Sequence, residues 1–143
     1  MGEPFWVTAE KQGVRTAIHM WPGSEAHILG VEPSFLDKYN GQEALPKKVD
    51  RLFEFFDKPG KEDEDADESD TRPQLVAMYV PNVDANGHKY GPNSTEVKST
   101  IQEVDGMLDQ IFTGLEQRNL TNIVNIIVVS DHGMATTDVT RLT

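Results

Sequence analysis

The stretch from Leu75 to Val129 constrains the fold more than any other. Val97, Ile101, Val104, Leu108, Ile111, Phe112 and Leu115 recur at steps of three and four, the period at which side chains share one face of an α-helix. That spacing predicts a helix of about five turns, with Asn93 or Ser94 as its N-cap. Short apolar runs bounded by turn signals flank it, Leu75 to Val80 and Val124 to Val129, each with the signature of a buried strand. Strand, long helix, strand is a βαβ crossover. Because both runs are apolar throughout instead of alternating, they predict a parallel sheet covered on both faces. The expected fold class is α/β.

Elsewhere the punctuation is local. Phe5 to Gly13 reads as a short helix, with Pro4 before it and Gly13 closing it. Val14 to Met20 reads as a strand stopped by Trp21-Pro22-Gly23. Ser24 to Ala44 shows no sustained period and reads as a loop with a turn at Tyr39-Asn40-Gly41, long enough to line something. Val49, Leu52, Phe53 and Phe56 predict an amphipathic helix over Leu45 to Asp57, ended by Pro59-Gly60.

The net charge of −11 excludes a sequence-independent nucleic-acid binder, which needs a basic face. Seven acids between Glu62 and Asp70 carry much of it, leaving about −4 elsewhere. That run repels itself and buries nothing, so residues 60–72 are expected to form a solvated, disordered insertion. Without cysteine there is neither a disulfide framework nor thiol chemistry. No apolar run approaches the roughly 20 residues that span a bilayer, and the first residues lack a signal-peptide pattern.

Two motifs carry potential chemistry: Asp84-Ala85-Asn86-Gly87-His88, and Ser130-Asp131-His132-Gly133-Met134. Each follows a predicted strand and offers a carboxylate and an imidazole, ligand types that zinc accepts. In an open parallel sheet the loops leaving the carboxyl ends share one edge, so Asp84, His88, Asp131 and His132 are expected to converge. Gly87 and Gly133 would let backbone pass close to a bound group. Nothing comparable is expected around His19 and His27. Spacing alone leaves a metal site and an ordinary polar rim equally open.

At these residues the sequence resembles the nucleotide pyrophosphatase/phosphodiesterase family, within the alkaline-phosphatase-like superfamily. The likeness runs through five ordered blocks: Trp6-Val7-Thr8-Ala9, Trp21-Pro22-Gly23-Ser24, Tyr39-Asn40-Gly41, Asp84 with Gly87 to Pro92, and Ser130 to Met134. It implies an alkaline-phosphatase-like parallel-sheet sandwich, incomplete here, with a central βαβ unit and flanking helices. It further implies a two-zinc hydrolase of phosphodiester or pyrophosphate bonds that works through a covalent intermediate on threonine. By motif, Asp84 and His88 would ligate one zinc, and Asp131 and His132 the other. Tyr39 would stack on a nucleotide base and Trp21 would help wall the pocket. Glu25 departs from the Asp common after Trp-Pro-Gly-Ser, and Pro81-Asn82-Val83 replaces Glu-Glu-Pro before the metal Asp.

The family's early Asp ligand, its threonine nucleophile and its late His ligand have no motif context in residues 1–143. The chain is accordingly expected to be part of a catalytic domain, without a nucleophile, inactive alone and marginally stable. The alternative is a noncatalytic module binding metal or nucleotide through the same loops. Asn93-Ser94-Thr95 and Asn119-Leu120-Thr121 are N-glycosylation acceptors. With the family's habit, they imply an extracellular or lumenal location, or secretion, with any membrane attachment through an anchor outside this sequence.

Overall fold

The computed structural model describes residues 2–137. The chain divides into two compact units, 1–79 and 80–143.

The first unit is α/β. Helix α1 (Phe5–Lys11) follows an extended Pro4, and the chain reverses through Gly13 at φ +75°. Three strands follow, β1 (Thr16–His19), β2 (Phe35–Asp37) and β3 (Leu75–Met78), with helix α2 (Leu45–Phe56) between the last two. The sheet order is β2-β1-β3 and both pairings are parallel. In this register His19 lies opposite Asp37 on one side and Met78 on the other. Every residue of the central strand is buried.

Trp6, Val7, Ile18 and Ala77 form the core, with Trp21, Ile28, Val31 and Leu36 packed against it. One carboxylate oxygen braces the amino ends of the strands: Glu10 Oε1 accepts from the backbone and hydroxyl of both Thr16 and Ser34, at 2.7–2.8 Å. Burial disfavours that carboxylate, but the four donors outweigh it and lower its pKa.

Helix α2 matches its predicted span to within a residue, but its buried face is rotated. Val49, Leu52 and Phe53 are buried as expected; Phe55 is fully buried and Phe56 only partly. Lys48, Leu52 and Phe55 share a stripe by helical spacing, and Lys48 is itself 0% exposed. The expected loop from Ser24 to Ala44 contains β2, which at three residues is too short to show a period. The acidic run is largely exposed, as its charge predicts, but it is not featureless. A 3₁₀ turn at Glu68–Asp70 is capped by Asp67, and Arg15 donates to the Ser69 and Thr71 carbonyls at 2.7 and 3.2 Å.

The second unit holds helices α3 (Asn82–Tyr90) and α4 (Thr95–Gln117). Asn86 Nδ2 donates to Thr100 Oγ1 at 2.6 Å, joining them. Ser94 is the N-cap of α4, its hydroxyl accepting from the Val97 N–H at 3.2 Å. Ser94→Ala is expected to cost about 1 kcal/mol, read as a lower denaturant midpoint at unchanged slope. Helix α4 buries Val97, Met107, Ile111 and Leu115, but Ile101 and Phe112 are half exposed, so only part of the predicted stripe is covered.

The predicted second arm of the βαβ unit is not a strand. Among the described residues no strand follows β3. Val124 donates to the Leu120 carbonyl in a turn, and Ile127, Val128 and Val129 are 84%, 69% and 70% exposed. Apolar composition qualifies a segment for a buried strand, but a strand exists only where a neighbour completes its ladder. The three strands of the sheet are β1, β2 and β3 instead.

Candidate functional site

In the first unit, parallel strands deliver their carboxyl ends to one edge, where α/β sheets bind ligands. Strand β1 runs into Met20-Trp21, β2 into Lys38-Tyr39, and β3 into Tyr79. Trp21, Tyr39 and Tyr79 line a cleft of about 640 Å³ with Met20, Pro22 and Glu25. The two predicted substrate-facing residues, Trp21 and Tyr39, are thus brought together.

Local chemistry fixes both. Trp21-Pro22-Gly23-Ser24 closes with the Ser24 N–H and hydroxyl donating to the Trp21 carbonyl at 3.1 and 2.7 Å. Gly23 sits at φ +81°, as the third residue of a type II turn requires, after Pro at the second. The Phe5 ring meets Trp21 edge-on, with centroids 5.4 Å apart. Tyr39 is 57% exposed, and its N–H donates to Glu25 Oε1 at 2.9 Å. Glu25, the departure from the family pattern, therefore holds the Tyr39 backbone. Tyr79 was not legible from the sequence, where it stood only as part of an apolar run.

His19, around which the sequence predicts nothing, is held through both ring nitrogens. At 2% exposure, its Nδ1 faces Asp37 Oδ2 at 2.8 Å and its Nε2 faces Glu43 Oε2 at 2.7 Å. These partners lie 18 and 24 residues away, beyond any motif window.

In the second unit, Asp84 and His88 stand one turn apart on α3, a helix where a loop was expected. His88 Nε2 lies 3.4 Å from Asp84 Oδ1, and His132 Nε2 lies 3.5 Å from the same oxygen and 3.7 Å from Asp131 Oδ2. His88 and His132 thus both face Asp84 Oδ1, and Asp131 lies beside its chain neighbour His132. His132 Nδ1 donates to the Gly133 carbonyl at 3.0 Å. That bond first, then the Asp131 charge, raises its pKa. Gly87 meets the Met134 thioether, 2.6 Å from where a Cβ would stand, and not an open approach for a ligand. Nothing lies within 4 Å of a Cβ at Gly133.

Asp84 Oδ1 is shielded from solvent and, among the described residues, has no hydrogen-bond partner. An orphaned carboxylate oxygen is costly, and a cation beside two imidazoles is the chemistry that would satisfy it. Donors on a tetrahedral zinc with bonds of about 2.0–2.1 Å stand roughly 3.4 Å apart, close to the spacings around Oδ1. The donor types are ones that zinc accepts, but among the described residues they do not form a preassembled metal site.

A family model described as type I phosphodiesterase/nucleotide pyrophosphatase matches residues 1–142. The chain belongs to that family. It is 45% identical over 141 residues to an uncharacterised pyrophosphatase/phosphodiesterase of Schizosaccharomyces pombe, covering 99% of this chain and 27% of that protein. It is 37% identical to human ectonucleotide pyrophosphatase/phosphodiesterase family member 1, over 93% of this chain and 13% of the relative. Venom phosphodiesterase 2 of Crotalus adamanteus is likewise 37% identical, over 99% and 16%. The chain thus spans about a quarter or less of the curated relatives it matches. A structure of murine ectonucleotide pyrophosphatase/phosphodiesterase 5, an inactive variant in complex with AMP, superposes with a TM-score of 0.80 at 30% identity, covering 97% of this chain and 34% of that one.

Proposed function

We propose that this chain supplies part of the active site of a zinc-dependent phosphodiesterase or nucleotide pyrophosphatase acting on nucleotides through a threonine-linked intermediate. The observation that carries the reading is the convergence of His88 and His132 on the orphaned Asp84 Oδ1, in a chain of this family. Asp84, His88, Asp131 and His132 would hold the metal. Bound zinc supplies Lewis-acid polarisation of phosphoryl oxygens and a counter-charge for the transition state. The chain's own part is to place carboxylates and imidazoles, and to present Trp21 and Tyr39 as faces on which a base stacks with little regard to its identity.

No threonine of this sequence stands in the family's nucleophile context, so the 143-residue chain binds and does not turn over. The names of its relatives, ectonucleotide enzymes and venom phosphodiesterases, favour an extracellular or lumenal setting, or secretion. Asn93 and Asn119 are both exposed, as glycan acceptors must be. Among the described residues no helix is long and apolar enough to cross a membrane.

Calorimetric titration of zinc into the purified chain tests the ligand set. Asp84→Ala and Asp131→Ala are each expected to weaken binding by more than the roughly 10–100-fold typical of losing a mere outer partner. Equal affinity in all three proteins would reject these ligands. Turnover of a nitrophenyl nucleotide diester by the unsubstituted chain, lost in Asp131→Ala, would reject its inactivity alone.

A further inference from the structure

His19 touches carboxylates through both ring nitrogens. A neutral imidazole has one N–H and one lone pair, so it can satisfy one carboxylate but must oppose a lone pair to the other. The imidazolium donates to both. Asp37 and Glu43 bracket residues 38–42, so a single buried ring ties the two ends of the loop that carries Tyr39.

Other charges face the same ring from α2. Arg51 forks onto Asp37, with Nε to Oδ2 at 2.8 Å and Nη2 to Oδ1 at 3.0 Å. Lys48 Nζ donates to Glu43 Oε2 at 2.9 Å. Each carboxylate therefore keeps a basic partner on α2 when His19 loses its proton, but the link between them is gone. Lys38, Lys47, Asp50 and Glu54 join His19, Asp37 and Glu43 in lining a cleft of about 400 Å³.

We propose that protonated His19 is a positioning residue for the Tyr39 loop, holding residues 37–43 closed in the acid form and releasing one end as pH rises. Only the assignment of that loop to nucleotide binding rests on the function proposed above.

Burial by itself would keep the ring neutral, but its bonds to Asp37 and Glu43 outweigh burial and raise the His19 pKa. Asp37 is likewise penalised by burial, yet His19 and Arg51 bring it down to about 2. For a basic group raised in the folded state, the stabilisation is complete below the unfolded value of about 6.5. It is lost as pH rises through the folded value.

The test uses the 143-residue chain from about pH 5.5 to about pH 9, bracketing histidine titration. The His19 ring is followed by NMR, amide protection factors are measured for residues 38–43, and AMP is titrated without metal. The expected result is a His19 midpoint above about 6.5, with loop protection falling about tenfold and AMP binding weakening several-fold through the same midpoint. His19→Gln, a neutral side chain with one donor nitrogen where the imidazolium has two, is expected to show the loose loop at every pH. If His19→Gln does not fold, the unsubstituted chain alone decides the matter. Loop protection indifferent to the His19 titration overturns the proposal. So does a loop that co-titrates while AMP affinity stays flat. Co-titration of ring and loop with no AMP binding at any pH supports the staple and rejects the nucleotide reading of Tyr39 instead.

Discussion

Glu43→Ala is expected to cost about 3 kcal/mol of folding free energy, because it strands a buried cation. Lys48 is 0% exposed, and Glu43 is its charged partner at 2.9 Å; the Met20 sulfur at 3.1 Å is a weak acceptor. Removing one member of a buried pair typically costs about 3–5 kcal/mol, and the lower end applies because the Glu43 side chain is 17% exposed. The measurement is urea unfolding at neutral pH. The double variant Glu43→Ala/Lys48→Met separates the causes: an apolar replacement of similar volume needs no counter-charge, so the part of the loss due to Lys48 should return, while the lost Glu43 contact with His19 Nε2 does not. A double variant no more stable than the single one would show that the stranded charge is not the cost.

Phe55→Ala is expected to be at least as damaging, for a different reason. Phe55 is 0% exposed; its ring centroid lies 5.6 Å from that of Phe35, and the Arg51 guanidinium sits 4.3 Å above it. Truncating a buried phenylalanine costs about 3–5 kcal/mol through lost transfer energy and the cavity left behind. Against a typical total of about 5–15 kcal/mol, that removes much of the margin. Because Phe35 begins β2 and Arg51 holds Asp37 at its end, the loss should reach the Tyr39 loop. Phe55→Leu, which keeps more of the volume, should recover more than half of the deficit in the same unfolding assay. Equal loss in both variants would assign the cost to the aromatic ring and its cation contact, not to the cavity.

Elements with a long or uniform signal were legible in the sequence. The three-and-four spacing from Val97 to Leu115 located α4, and the apolar run from Leu75 located β3. Elements whose existence depends on a partner were not. Val124 to Val129 has the composition of a buried strand, but without a completed ladder the segment remains coil. Strand β2 is too short for periodicity, and its place is set by pairing with Ala17, Ile18 and His19. Helix α3 was masked by Asn86-Gly87, a turn signal. It ends where Gly91 takes φ +91°.

The site divides the same way. Asp84, His88, Asp131, His132, Trp21 and Tyr39 sit in compact motifs, and each motif is gathered in space with its counterpart. The His19 cluster is assembled from β1, the end of β2, the following loop and α2, so no local window contains it. A lone histidine at the end of a strand carries no signal until the register places Asp37 opposite.

Met20 lies between these two legible and illegible halves of the first unit. It is a 2% exposed, non-glycine residue held at φ +61°, anchored by its N–H to the Asp37 carbonyl at 2.9 Å. That conformation is unfavourable by about 1–2 kcal/mol for an L-residue and worse for a branched one. The variety of side chains that position 20 tolerates is therefore narrow from two directions. Valine and isoleucine are barred by the backbone, and glycine or asparagine, which the backbone would welcome, surrender the apolar volume and the sulfur that Lys48 meets. A flexible, unbranched thioether is among the few side chains that meet both demands, so variation in this region should accumulate around position 20 and not at it.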